Sequence, residues 1–351
     1  MTLEQTLSRI KGADPAIYET AIAQWDSLAK PLGSLGSLET AIARIAAVTG
    51  TPAVSLKKRR LVVLCADNGV ICQGVSQSDE SVTRAVTAAL GEGTSTVNYM
   101  ARQAACEVLP VDLGVKDFPA HPGVLSRRVR NGTADISAGP AMGRTECVQA
   151  IQTGIALARQ AKEEGVEILL TGEMGIGNTT TSCAVASVLL DKDPGQLVGR
   201  GAGLSDAGLV RKTAAIRRAI SINAPDPADP LDVMHKVGGL DLAGLCGLCL
   251  GGALAGLPVL LDGFISCVAA LCAVRLCPKA GEALLASHLS AEPGARLVLE
   301  ALGLTGFLQA GLRLGEGTGA VAALPLLDVA LAVYRSGHTF GTMGLAPYTP
   351  Q

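Results

Sequence analysis

The sequence predicts an α/β protein built on a parallel sheet with helices on both faces, and three observations support that class. Short apolar runs alternate with longer helical stretches, which is the rhythm of βαβ units. Several of those runs end directly in Asp or Gly, as strands do at the edge of a parallel sheet where ligands collect. The composition is 48% hydrophobic but only 3% aromatic, an Ala/Val/Leu/Gly mixture suited to helices packed closely on a buried sheet.

The elements follow in order. Residues 1–50 lack a clear strand and read as helices. Leu61–Cys65 is the first strand, running into Ala66-Asp67-Asn68-Gly69. Helices over 80–91 and 94–105 precede strands at Val108–Leu113, which closes on Gly114, and Val124–Val129. A helix over 145–164 leads to the strand Ile168–Thr171, which opens into Gly172-Glu173. Helices over 179–190 and 206–222 come next. A buried helix to about Ala255, the strand Val259–Leu261 and a helix over 264–275 follow. The end of the chain again lacks a clear strand and carries a helix over 319–334. The two strandless ends are expected to pack as a small helical domain (1–50 with 305–351). Residues 51–304 then form a large, Rossmann-like catalytic domain.

Bulk properties exclude several function classes. A formal charge of −2 leaves no electrostatic footprint for nucleic acid or an anionic membrane. Lys57-Lys58-Arg59-Arg60 reads as the solvated lip of the strand that follows. Glu4, Arg9, Lys11 and Asp14 interrupt any apolar leader, so a cytoplasmic protein is expected. Leu242–Leu261 is an uncharged run of twenty residues. Its glycines, its break at Gly256-Leu257-Pro258 and its flanking Asp241 and Asp262 favour a buried helix and strand over a membrane span. The ten cysteines are scattered, and Cys246-x-x-Cys249 lacks a second ligand pair. His121, His235, His288 and His338 show no ligand spacing, so neither a structural metal nor a cofactor is expected.

Three segments carry chemistry. Thr171-Gly-Glu-Met-Gly-Ile-Gly-Asn-Thr-Thr-Thr181 leaves a strand, crosses a glycine-rich turn and opens a helix. Such a turn suits a phosphate, through backbone N–H groups and threonine hydroxyls, and also suits an ordinary capped helix start. It is neither a Walker A loop nor a clean dinucleotide fingerprint. Val198-Gly-Arg-Gly-Ala-Gly203 is a second flexible loop. Lys212 on the following helix either neutralises a phosphate or faces solvent. Arg313-Leu-Gly-Glu-Gly-Thr-Gly319 sets one carboxylate between glycines before an apolar helix. That carboxylate is a general base in a cleft or an acid facing the helix dipole.

Taken in order, several motifs resemble one family along nearly the whole chain. They are Lys30-Pro-Leu-Gly-Ser-Leu-Gly-Ser-Leu-Glu39, Cys65-Ala-Asp-Asn-Gly-Val70, Thr171–Thr180 and Lys236-Val-Gly-Gly-Leu-Asp241. Leu257-Pro-Val-Leu-Leu-Asp-Gly-Phe264, Ser287-His-Leu-Ser-Ala-Glu292 and Arg313–Ala320 continue the series. The family is nicotinate-nucleotide:dimethylbenzimidazole phosphoribosyltransferase, which builds the nucleotide loop of cobalamin.

The resemblance implies a six-stranded parallel α/β domain with a small helical domain from both termini, assembled as a homodimer. It implies transfer of ribose-5-phosphate from nicotinate mononucleotide to a benzimidazole-type base, without metal or cofactor. Glu316 matches the general base and Glu173 a second acid. The phosphate falls to Gly175, Gly177, Asn178, Thr179, Thr180, Gly201 and Lys212, and Asp262, Gly263 and Ser290 complete the nucleotide site. Ser78, Val86, Met174 and Leu314 match the base pocket. Members that use dimethylbenzimidazole commonly have His, Gln and Leu where Asn68, Val86 and Met174 stand, which leaves the accepted base open. A phosphoribosyltransferase using the pyrophosphate donor should show two adjacent acids after a strand, and Asp262-Gly263 offers one. A nucleotide-binding sensor or carrier would tolerate loss of Glu316.

Overall fold

The computed structural model describes residues 2–201 and 203–348. The chain begins with α1 (Leu3–Leu7), α2 (Pro15–Ser27) and α3 (Ser37–Thr49), and then enters the sheet at β1 (Arg59–Ala66). After β1 come α4 (Glu80–Glu92), α5 (Thr96–Gln103), β2 (Cys106–Gly114), β3 (Leu125–Ser126) and α6 (Arg144–Glu163). The chain then returns to the middle at β4 (Ile168–Met174), followed by α7 (Asn178–Leu190), α8 (Asp206–Asn223), α9 (Pro230–Val237) and α10 (Leu240–Ala255). It finishes with β5 (Val259–Leu261), α11 (Phe264–Leu276), β6 (Leu284–Ala286), α12 (Ala295–Leu302) and α13 (Thr318–Tyr334). The six strands are ordered β3-β2-β1-β4-β5-β6, and every pairing is parallel. The chain winds outward from β1, then returns beside it at β4, so a crevice opens at the carboxyl ends of these neighbours.

Side chains alternate along β1 as a strand buried on both faces requires. Val62, Leu64 and Ala66 enter one core with α6, α7, α10 and α11. Leu61, Val63 and Cys65 enter another with residues of α2, α3, α5 and α13. The chain ends meet in this second core, where the rings of Trp25 and Tyr334 lie 5.0 Å apart. Lys30 pairs with Glu39 at 2.7 Å and lies over the Trp25 ring, so the N-terminal signature closes its own glycine-rich loop.

The apolar run from Leu242 belongs to α10, which is buried from Leu240 to Ala253. Its glycines permit close helix packing, since a Cβ on Gly247 would sit 1.9 Å from the Ile151 carbonyl oxygen of α6. No helix among the described residues is long and apolar enough to cross a membrane.

Several expectations need correction. The strand expected over Val124–Val129 is only Leu125–Ser126, and β6, α9 and α12 lie outside the expected elements. β6 is three residues long, too short to show alternation. Nor is the basic run uniformly solvated. Arg60 is buried and pairs with Glu107 and Glu164, while Arg59 pairs with Asp328.

Candidate active site

Beyond β4 the backbone runs very close to β1. A Cβ on Gly175 would lie 2.2 Å from the Ala66 carbonyl oxygen, so this turn admits only glycine. Gly177, at φ 97°, then turns the chain into α7. The first two residues of α7 serve different groups. Asn178 Nδ2 donates to Glu173 and, at 3.0 Å, to Asp241. Thr179 Oγ1 accepts from Lys212 Nζ at 2.8 Å.

On the Thr179 side Lys212 is 1% exposed, which rules out the solvent-facing alternative. Its ammonium also donates to the Gly199 carbonyl at 3.0 Å and lies beneath the loop that carries Gly201. Burial lowers its pKa, while Cys183 and Glu292 oppose the shift. An ammonium held this way, beside a helix start and two glycine-rich loops, is suited to receive an anion.

On the Asn178 side four carboxyls gather. Glu173 is the penultimate residue of β4, Asp241 lies in the first turn of α10, Asp262 follows β5, and Glu316 precedes α13. Burial, reinforced by Asp241 and Asp262, pushes Glu173 up to about 8. Burial pushes Asp241 up to about 6. Asp262 accepts hydrogen bonds from the amides of Gly317 (3.1 Å), Gly319 (2.8 Å) and Ala320 (3.2 Å). Burial pushes it up to about 6 even though these amides favour the anion. Asp262 thereby clamps the start of α13, and with it the turn that carries Glu316.

Glu316 itself has φ 59°, between Gly315 at 93° and Gly317 at 88°. Three consecutive residues in the left-handed region are costly for anything but glycine, and here the one side chain so held is the acid. Burial raises its pKa, while the Val97 amide and the Ser95 hydroxyl pull it back.

One cleft brings most of the sequence-derived residues together. Glu173, Met174, Gly175, Gly177, Asn178, Thr179, Gly201, Lys212, Asp262, Gly263, Ser290, Leu314 and Glu316 all line it. Thr180 does not, because its side chain is fully buried in α7. Ser78 and Val86 also lie off the lining, and Val86 packs against the second core. Asn68 is buried under the cleft, accepting from Thr181 Oγ1 at 3.3 Å.

Two residues without an assigned role belong to the site. Asp241 had a signal in its Gly-Gly-Leu-Asp motif. His288 lines the cleft, bonds Ser287 Oγ at 2.9 Å and has its pKa lowered by burial. It packs so tightly on α13 that a Cβ on Gly319 would meet its ring at 2.1 Å.

Sheet order, switch-point crevice and convergent buried ionisable groups define a doubly wound α/β enzyme. A family model described as Phosphoribosyltransferase matches residues 10–344, and the chain belongs to that family. It is 46% identical over 350 residues to the nicotinate-nucleotide–dimethylbenzimidazole phosphoribosyltransferase of Ruminiclostridium cellulolyticum, covering 100% of this chain and 99% of that protein. The protein of the same name from Acetivibrio thermocellus is 47% identical over 349 residues, covering 99% of each chain. The crystal structure of CobT from Thermus thermophilus superposes with a TM-score of 0.90 at 42% identity, covering 95% of this chain and 100% of that one.

Proposed function

We propose that the chain transfers ribose-5-phosphate from nicotinate mononucleotide to 5,6-dimethylbenzimidazole or a related base, releasing nicotinate and forming an α-ribazole 5′-phosphate type product. The observation that carries this reading is the union, across the first turn of α7, of a buried ammonium with a group of buried acids. The phosphate rests against Lys212, Thr179 and the glycine turns at 175–177 and 201. The ribose then lies toward Glu173. A base nitrogen attacks C1′, the C1′–N bond breaks, and its electron pair leaves with nicotinate. The pyridinium is already a good leaving group. The proton on the base's other nitrogen passes to Glu316, whose burial raises its pKa toward a general base's working range.

Glu173 holds its proton at neutral pH, because burial pushes it up to about 8. Positive charge at the pyridinium or the breaking glycosidic bond favours its ionised form. Asp262, the acid a pyrophosphate-dependent enzyme would present to magnesium, is instead engaged by the amides of α13. Met174 and Leu314 offer an adaptable apolar wall, which supports acceptance of several benzimidazoles. The family resemblance supports a cytoplasmic homodimer, whose oligomeric state light scattering would check.

The decisive experiment incubates the protein with nicotinate mononucleotide and a panel of bases, with and without EDTA, and identifies products by mass spectrometry. Ribosylated base and free nicotinate in equal amounts, unaffected by EDTA, are expected. A strict requirement for magnesium and the pyrophosphate donor would refute the reading.

A further inference from the structure

The turn Gly175-Ile176-Gly177 lines the cleft and leads into the start of α7. Two glycines in three residues leave such a turn conformationally free unless its surroundings fix it. The end of β1 supplies a floor. A Cβ on Gly175 would lie 2.2 Å from the Ala66 carbonyl oxygen, and one on Gly177 would lie 3.3 Å from Asn68 Cβ. A floor limits how far the turn can sink, but it does not direct the peptide groups.

Direction comes from two hydrogen bonds at opposite edges of one peptide plane. Ile176 N donates to Thr83 Oγ1 of α4 at 3.0 Å, across 93 residues of sequence. The Gly175 carbonyl, at the other edge of that plane, accepts from Asn178 N at 3.1 Å. A trans peptide is planar, with its N–H and C=O pointing opposite ways, so the two bonds together fix its rotation. Thr83 is fully buried and lies off the cleft lining. The Ile176 proton is therefore turned into the protein and is not offered to a ligand. The helix that carries Thr83 is itself held. Asp79 caps it through the Ser81 amide at 2.9 Å, and Thr87 Oγ1 donates to the Thr83 carbonyl at 2.7 Å. A β-branched side chain has few rotamers in a helix, so the acceptor sits at a defined point.

We infer that Thr83 is a positioning residue for the nucleotide's phosphate, accepting the Ile176 amide from inside the protein and so fixing the shape in which the glycine turn meets the anion. The inference rests on the phosphate reading of this turn. It gives α4 a part in nucleotide binding although Thr83 itself never reaches the ligand.

The test is steady-state kinetics of Thr83→Val, Thr83→Ala and Thr83→Ser, with thermal unfolding of each. Valine keeps the shape and removes the acceptor. The KM for nicotinate mononucleotide should rise about threefold to tenfold, the range one neutral hydrogen bond commands, and more than kcat falls. The inhibition constant of nicotinate riboside, which lacks the phosphate, should stay near that of the parent. Thr83→Ala should show the same selectivity, and it decides the matter if Thr83→Val does not fold. Thr83→Ser keeps the hydroxyl and should return KM toward the parent value. A merely structural role would weaken nucleotide and riboside alike; that result, or an unchanged KM in the variants without the hydroxyl, would overturn the inference. Lys212→Ala, measured in parallel, tests the foundation. If it too fails to separate nucleotide from riboside, the phosphate reading falls. If it separates them while Thr83→Val and Thr83→Ala do not, only the role of Thr83 is lost.

Discussion

On the Thr179 side of the cleft a single ammonium, Lys212, rests on one hydroxyl and one carbonyl. On the Asn178 side Glu173, Asp241, Asp262 and Glu316 crowd together, and burial raises the pKa of every one. The ammonium bonds neutral oxygens, and the acids burden one another. A ligand carrying an anion at one end and a cation at the other relieves both sides at once. A pyridinium nucleotide monophosphate has that arrangement, so its two ends should fail separately when the two sides are altered.

The largest separation is expected from Glu316→Gln, which keeps the shape of the acid side but removes the proton acceptor. Turnover should fall by roughly 10²–10⁴-fold, while calorimetry should still register nucleotide binding. Near-normal turnover would remove the base role from Glu316 and make Glu173 the next residue to test.

A smaller but complementary effect should come from Lys212→Ala. Affinity for nicotinate mononucleotide should drop about 10-fold to more than 100-fold, the usual worth of a charge-assisted contact. Binding of a free benzimidazole should be spared. Equal weakening of both ligands would mean that the two sides are not independent.

The subtlest contrast concerns stability. A carboxyl pushed up to about 8 contributes stability that is complete below its unfolded value near 4.5 and is lost as pH rises through the folded value. Glu173→Gln lacks this titration, so its stability relative to the parent should improve with pH. Between about pH 5 and 8 the gain should be of order 1–3 kcal/mol, limited by sharing of protons with Asp241. Thermal unfolding across that range measures it, and a pH-independent difference would show that Glu173 is ionised throughout.

The strands β1, β4 and β5 were legible because each is an apolar run ending at Gly or Asp. Gly-Glu-Gly around residue 316 was legible for a related reason, since paired glycines announce unusual backbone. Lys212 was ambiguous because a lysine's burial depends on which loop folds over it. Val86 and Asn68 match pocket positions by alignment of motifs, yet packing turns one toward the second core and places the other under the cleft. The partner of the Glu316 carboxylate gave no sequence signal at all, because the Val97 amide reaches it only where α5 and the start of α13 meet in space.

The clamp at Asp262 also sets a schedule for synthesis. A ribosome releases β5 and its aspartate well before the amides of Gly317, Gly319 and Ala320 exist to receive it. Until they emerge, Asp262 lacks three of the amides that favour its anion, and burying it is disfavoured. A nascent chain can therefore assemble the phosphate turn early, but the acid side locks only when the last helix arrives.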